Sequence, residues 1–415
     1  MRETRNGAEE FLLHNSSMVM TCSGEGLGLI TDGAVHIKHG QVAWVGRSGD
    51  IDRSVTANAR KIDLGGGLLT PGLIDSHAHP LFAGNRANEF EMRSEGADYL
   101  EIAKAGGGIN ATVGPTRDAS FDELLANTLA RLKIALRGGT TTMEAKSGYD
   151  LRASGEIRLL QVAQAASLAQ PIDLMPTLLG AHVLPPEYKD RRDAYVDLVV
   201  EKMIPQTATE NLADAVDVYC DEGAFTLAET ERILRCAKEH GLKVKAHVGQ
   251  FVDLGGPELI ADLGGLSCDH LEQISEAGMQ AMARAGVVAT MLPGACVQLK
   301  MPPPPVAQLR KHGVALALAS DLNPGSSNCE TLSLPMWLAT THFGMTVAEA
   351  WLGVTRHAAC ALGRNDIGQV SPGHRADLVL WDAEYPGEIP YRFGTTLVNR
   401  VWKDGVLCSD LVKHL

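Results

Sequence analysis

The sequence predicts an α/β protein: a (β/α)8 TIM-like barrel carrying a small β-sandwich domain built from the N- and C-terminal segments. Three observations predict it. Eight short apolar runs alternate with helix-patterned segments through the middle of the chain. The two chain ends share a glycine-broken β texture that the middle lacks. Five of the eight central runs end in histidine or aspartate, and such barrels build their active sites at the C-terminal ends of their strands.

At the N-terminal end, GAVHIKHG and QVAWVG precede the stretch Gly65-Gly66-Gly67. At the other end, RADLVLWD and LVNRVWKDGVL repeat that texture, so residues 1–69 and 368–415 are expected to form one composite β domain beside a barrel at 70–367. The eight central runs are LLTPGLIDSH, TTTMEAKS, IDLMPTLLGAH, VDVYCD, KVKAHV, GLSCDH, GVVATML and VALALASD. Between them, DELLANTLARLKIAL stops at Gly138-Gly139, and TLAETERILRCAKEHG has a capping box, with Thr226 three residues before Glu229. Pro302 to Pro305 reads as a rigid loop before a helix. No GxGxxG or P-loop competes for the assignment.

Bulk properties narrow the function. With 415 residues, 45% apolar and 21% charged, the chain is an ordinary globular protein. Its formal net charge of −13 argues against a nucleic-acid or anionic-membrane surface, so an anionic substrate would need a few locally placed cations. Eight scattered cysteines without a CxxC pair read as reduced, mostly buried thiols. No secretory leader or membrane span is recognisable, and a cytoplasmic protein is expected.

The strand ends carry His77 and His79, His182, His247, His270 and Asp321. Side chains alternate along a strand, so His77 and His79 share a side, about 7 Å apart along the chain. At the mouth of a barrel that side is the interior, where both imidazoles can reach one ion. An HxH pair alone is weak evidence, and His247 could be an interior histidine or Asp321 a helix cap. Together, His77, His79, His247 and Asp321 make a nitrogen/oxygen ligand set suited to one divalent ion, zinc or iron, with a position left for water. Asp321 could also take a proton from that water.

The stretches PGLIDSHAHPLFAGNRANEF, YLEIAKAGGGI, GTTTMEAKSGYDL, LLGAHVLPPEY, KVKAHVGQFVDLGGPELIADLG, SCDHLEQIS, ATMLPGA, ASDLNPGSS and PYRFGTTLVNRV span nearly the whole chain. In them the sequence resembles the amidohydrolase superfamily, and within it the imidazolonepropionase family of histidine degradation. HxH is shared across the superfamily; AGGGI, KSGYD, LLGAH and DLNPGSS are narrower. The resemblance implies a metal-dependent cyclic amidase that opens the ring of 4-imidazolone-5-propanoate to N-formimidoyl-L-glutamate, acting as a homodimer on a small anionic ring.

The resemblance also implies the same four metal ligands. It points to Arg86 as the partner of the propionate carboxylate, against a plain salt bridge. Tyr149 and His182 would line the ring pocket, and Gln250 would hydrogen-bond the ring. Asn323, Gly325 and Ser326 would shape the pocket, although NPG can equally be only a turn. His270 would stabilise charge on the attacked carbonyl or shuttle a proton, the alternative being a further metal ligand. A two-metal site would want a lysine on the fourth strand, which has none; Lys146 is on the second.

One departure stands near the chemistry. His247-Val248-Gly249-Gln250 has glycine where the family usually carries an acidic residue. It motivates a rival substrate, a propionate-bearing hydantoin or thiohydantoin, the latter losing sulfide. An aminohydrolase (deaminase) and a catalytically dead scaffold are more distant alternatives.

Overall fold

The structure, a computed structural model, describes residues 10–52, 54, 56–96 and 107–410. Among them, sixteen strands follow in chain order. The first five are β1 (Phe11–Met20), β2 (Leu29–Lys38), β3 (Gln41–Arg47), β4 (Arg60–Asp63) and β5 (Leu68–Pro71). Then come β6 (Leu73–Asp75), β7 (Thr140–Lys146), β8 (Asp173–Ala181), β9 (Ala215–Cys220), β10 (Lys243–Val248), β11 (Ser267–His270), β12 (Val288–Met291) and β13 (Leu316–Leu318). The chain closes with β14 (Leu378–Trp381), β15 (Val398–Lys403) and β16 (Val406–Asp410).

Strands β6 to β13 form one parallel sheet in sequence order, and each corresponds to one of the eight apolar runs. Helices cover its outside, so its strands are buried on both faces. The seam between β13 and β6 is closed just beyond the strands. Ala78 bridges Leu322, and the buried Asp75 carboxylate accepts from the backbone N–H (3.0 Å) and hydroxyl (2.5 Å) of Ser320. Two more bonds cross that seam: Asp321 N–H donates to the His77 carbonyl (3.0 Å), and His79 N–H to that of Leu322 (2.8 Å). The closure that makes the barrel therefore also seats both histidines of the HxH pair against Asp321.

The remaining strands form a separate mixed sheet ordered β16-β15-β14-β5-β1-β2-β3, with β4 also paired to β1. The C-terminal hairpin strands thus join the N-terminal ones, packing Leu13, Val35, Ile37, Leu378 and Trp402 into a core of their own. The structure differs from the sequence reading at LLTPGLIDSH, expected as one strand. The run is shared: β5 belongs to the terminal sheet and β6 to the barrel. The chain changes sheet at Gly72, where a Cβ would lie 2.2 Å from the Thr141 hydroxyl, so only glycine passes so close to β7.

The helices begin and end as expected. Phe121–Arg137 is capped by Ser120 and Glu123 and ends at Gly138, and Leu227–Glu239 carries the Thr226–Glu229 capping box. The proline run leads into the helix Val306–His312. No disulfide joins the cysteines among the described residues. Among the described residues, no helix is long and apolar enough to cross a membrane.

Candidate active site

His77, His79 and His247 bring their ring nitrogens within 4.8 Å of one another at the mouth of the barrel. His77 Nε2 is 3.2 Å from His79 Nε2. Asp321 Oδ1 lies 3.3 Å from the former and 3.5 Å from the latter. Two of the rings are aimed by carboxylates beneath them: His77 Nδ1 is 2.7 Å from Asp269 and His247 Nδ1 is 2.9 Å from Asp217. A carboxylate accepts from N–H, so both Nδ1 atoms carry a proton, which turns both Nε2 atoms towards the cluster as the atoms that can give a lone pair to a cation. Lone pairs of buried imidazoles converging on a carboxylate oxygen repel one another unless a cation sits among them. The donor set therefore fits a divalent metal ion.

The electrostatics point the same way. Below the imidazoles lies a dry ionic layer of Glu144, Lys146, Asp217, Lys245 and Asp269, all at most 1% exposed. Lys146 pairs with Asp217 and lies 3.1 Å from Glu144 and 3.5 Å from Asp269. Lys245 is 3.0 Å from Glu144 and 3.3 Å from Asp269. Thr177 donates to Glu144 and Ser267 to Asp269. Burial favours neutral carboxyls, but the lysines and histidines outweigh it and hold Asp217 and Asp269 well below the usual carboxylate range. Asp321 is held down likewise by His77 and His79. Asp217, Asp269 and Asp321, all held ionised, gather negative charge around the imidazoles that a divalent cation balances. Burial and Lys146 push His77 downwards, yet Asp269 and Asp321 prevail and raise it, another sign that the cluster favours positive charge. His79 drops to about 4, through burial first.

His77, Glu144 and Asp269 also approach one another closely enough to suggest a second ion. The ammonium groups of Lys146 and Lys245 already stand between those carboxylates, so this group is the ionic layer itself.

A cavity of about 710 Å³ opens over the cluster, within the range of small-molecule sites. His79, His247 and Asp321 reach its floor, and His270, Tyr149, His182 and Gln250 stand in its wall. His182 Nδ1 is 3.0 Å from the Gly148 carbonyl, so its proton sits there and Nε2 is an acceptor; burial lowers this imidazole to about 3. Tyr149 packs edge-on against His79 and His182, and burial pushes its phenol up, keeping it a donor. Gln250 Oε1 accepts from the Tyr219 hydroxyl (2.7 Å), which leaves its NH2 as a donor. His270 lies 5.5 Å from His247, ring centre to ring centre, outside the converging ligand group.

Arg86 is both a pocket residue and an ion pair. Its Nε and Nη2 meet the buried Glu89 carboxylate at 3.0 and 2.8 Å, while the guanidinium lines the cavity. Gly325 makes room for it: a Cβ there would sit 2.2 Å from Arg86 Nη1. Asn323 and Ser326 line the wall too, but the Asn323 amide is spent inside its turn, accepting from the backbone of Gly325 and Ser326 at 2.8 Å each. Of the YLEIAKAGGGI motif, residues 99–106 lie outside the described residues. Gly108 donates to Glu89 (2.9 Å) and, with Ile109, reaches the cavity. Gly249 has φ +64° and does not line the cavity, so glycine there answers a backbone need.

Sequence reasoning missed several groups. Asp217, Asp269, Glu144 and Lys245 aim or balance the clustered histidines, Glu89 clamps Arg86, and Arg93 and Lys300 add cations to the cavity wall. A usable signal existed for the first four. Charged residues inside parallel strands buried on both faces must find partners, and β7, β9, β10 and β11 each carry one or more.

The amidohydrolase family profile matches residues 68–408. The chain is 46% identical to the imidazolonepropionase of Colwellia psychrerythraea over 93% of its own length and 94% of that protein's. It is 47% identical to that of Shewanella frigidimarina, covering 91% and 93% of the two chains. Among solved structures it is similar to a zinc complex of atrazine chlorohydrolase from Arthrobacter aurescens (TM-score 0.76, 17% identity, 96% and 95% covered). It is also similar to a zinc-bound adenosine deaminase from Xanthomonas campestris (TM-score 0.72, 19% identity, 96% and 92% covered). With the profile spanning most of the chain and relatives so close over nearly full length, the chain belongs to the amidohydrolase family.

Proposed function

We propose that this enzyme hydrolyses the ring of 4-imidazolone-5-propanoate, a cyclic amide, to N-formimidoyl-L-glutamate. The observation that carries the reading is the union of a three-histidine, one-aspartate cluster with an arginine in the wall of the same cavity. That pairing suits a ring whose carbonyl is attacked while a carboxylate tail is held at a distance. Near-full-length likeness to imidazolonepropionases supports it.

His77, His79, His247 and Asp321 would hold the ion, zinc or iron, which would supply Lewis acidity to activate the attacking water. The protein's own groups do the rest. Asp321, kept ionised, takes the proton of the attacking water and passes it to the departing ring nitrogen. His270 steadies the oxyanion growing on the ring carbonyl. Gln250, held by Tyr219, donates to the ring, and Tyr149 with His182 forms its walls. Arg86 receives the propionate through the part of its guanidinium that Glu89 leaves open. The same reading takes the enzyme as a cytoplasmic homodimer, on its free thiols and its family resemblance.

The hydantoin and thiohydantoin alternative drew on Gly249, whose backbone role removes that motive. Purified enzyme offered both ring types decides the matter. Rapid loss of the imidazolone with formation of N-formimidoyl-glutamate is expected. No turnover of it, with fast turnover of a thiohydantoin and sulfide release, would overturn the choice.

A further inference from the structure

Beside His270 stands a second acid that the mechanism above does not use. Glu272 is almost wholly buried, its side chain 1% exposed, and neither carboxylate oxygen has a hydrogen-bond partner among the described residues. His270 Nδ1 is equally buried and equally without a partner. These unmatched groups face each other: Nδ1 lies 3.9 Å from Glu272 Oε1. Buried polar groups left unmatched are costly, and a donor and an acceptor orphaned side by side are complementary.

The backbone explains why they meet. His270 and Leu271 both adopt left-handed conformations, at φ +84° and +73°, which non-glycine residues rarely take. The kink is held from outside, by Leu271 N–H on the Val248 carbonyl (3.2 Å) and Gln273 N–H on the Gly249 carbonyl (2.8 Å). Two consecutive strained residues at the end of β11 turn the Glu272 carboxylate back towards the imidazole. Such strain persists where the surrounding structure imposes it, and it gathers at functional sites.

We propose that Glu272 is a positioning residue for His270. Its carboxylate accepts the Nδ1–H, fixing the ring's tautomer and tilt so that Nε2 faces the reacting carbonyl. The pair closes by about 1 Å to reach hydrogen-bond length, a shift within the reach of side-chain rotation in the substrate-free protein. No covalent step is involved. The inference rests on the role given above to His270.

The test compares Glu272→Met, which keeps the side chain's length but accepts nothing, with Glu272→Gln, which keeps an acceptor; Glu272→Leu replaces the former should it not fold. In metal-loaded protein without substrate, ¹⁵N shifts of the His270 ring, assigned by their loss in His270→Ala, should show Nδ1–H in the wild type and in Glu272→Gln. In Glu272→Met they should move towards the other tautomer. On imidazolone-propanoate, Glu272→Met should lower kcat by about 10- to 100-fold with KM and metal content near wild type, and Glu272→Gln should recover most of it. Adding Glu272→Met to His270→Ala should cost nothing further. A purely structural acid predicts unchanged ring shifts and unchanged kcat. Unchanged ring shifts in Glu272→Met overturn the proposal whatever the kinetics. If the imidazolone is not turned over at all, the substrate assignment fails, while the ring shifts still decide the pairing.

Discussion

Replacing Asp269 with asparagine removes one charge from beneath the metal site while keeping the side chain's shape. Its Oδ2 lies 2.7 Å from His77 Nδ1, 3.3 Å from Lys245 and 3.5 Å from Lys146. At an effective dielectric of about 20, each lysine contributes roughly 5 kcal/mol of attraction to that carboxylate. Part of this is offset because the neutral amide need not be desolvated as an ion and no longer repels Asp217. Breaking buried charge pairs from one side costs about 3–5 kcal/mol net, and the metal-stripped variant should lose stability on that scale. An amide oxygen can still accept from His77, so the ligand is not lost. Weakening such a carboxylate behind a metal-binding histidine lowers metal affinity by about 10- to 100-fold. Chelator competition gives the affinity, and denaturant unfolding of metal-free protein gives the stability. Wild-type values for both would refute the claim that the ionic layer holds the site together.

Three further outcomes follow from the same geometry. Gly325→Ala should push its new methyl into Arg86 and raise KM, much as Arg86→Ala does, with kcat less affected; unchanged KM in both would remove Arg86 from substrate binding. His270→Ala should cut turnover on the order of 100-fold while bound metal stays near normal; loss of metal would make it a ligand instead. Metal-free enzyme should become more stable as pH rises from about 4 to 6.5. His79 and His182 titrate near 4 and 3 in the fold, through burial first, whereas the unfolded chain takes up those protons near 6.5. The unfolded state thus binds more protons in that window. His77, raised in the fold, acts oppositely but mainly above it; Asp75, raised to about 6 by burial, acts oppositely within it, one group against His79, His182 and the likewise lowered His247. A urea midpoint that is flat or falls from pH 5 to 6.5 would contradict this.

The barrel was legible in the sequence because parallel strands buried on both faces read as apolar runs, and all eight runs became strands. The cluster of His77, His79, His247 and Asp321, the proposed metal site, was legible because the strand ends are where side chains converge. The split at Gly72 was not, since a continuous apolar run carries no mark of which sheet each half joins; only the close approach of Thr141 places the break. Glu89 and Tyr219 escaped for a different reason. Tyr219 meets Gln250 only through the pairing of neighbouring strands, and Glu89, three residues after Arg86, is a helix-spaced partner recognisable only once that helix is placed. The charges of β7 to β11 were visible but unread, because their partners lie across the barrel.

The central claim is that four side chains hold one cation on which hydrolysis depends. Metal-stripped enzyme should be inactive on imidazolone-propanoate, and activity should return in proportion to added zinc or iron, levelling off at one ion per chain. A full hydrolytic rate in the stripped protein, or a plateau reached only at two ions, would contradict the account.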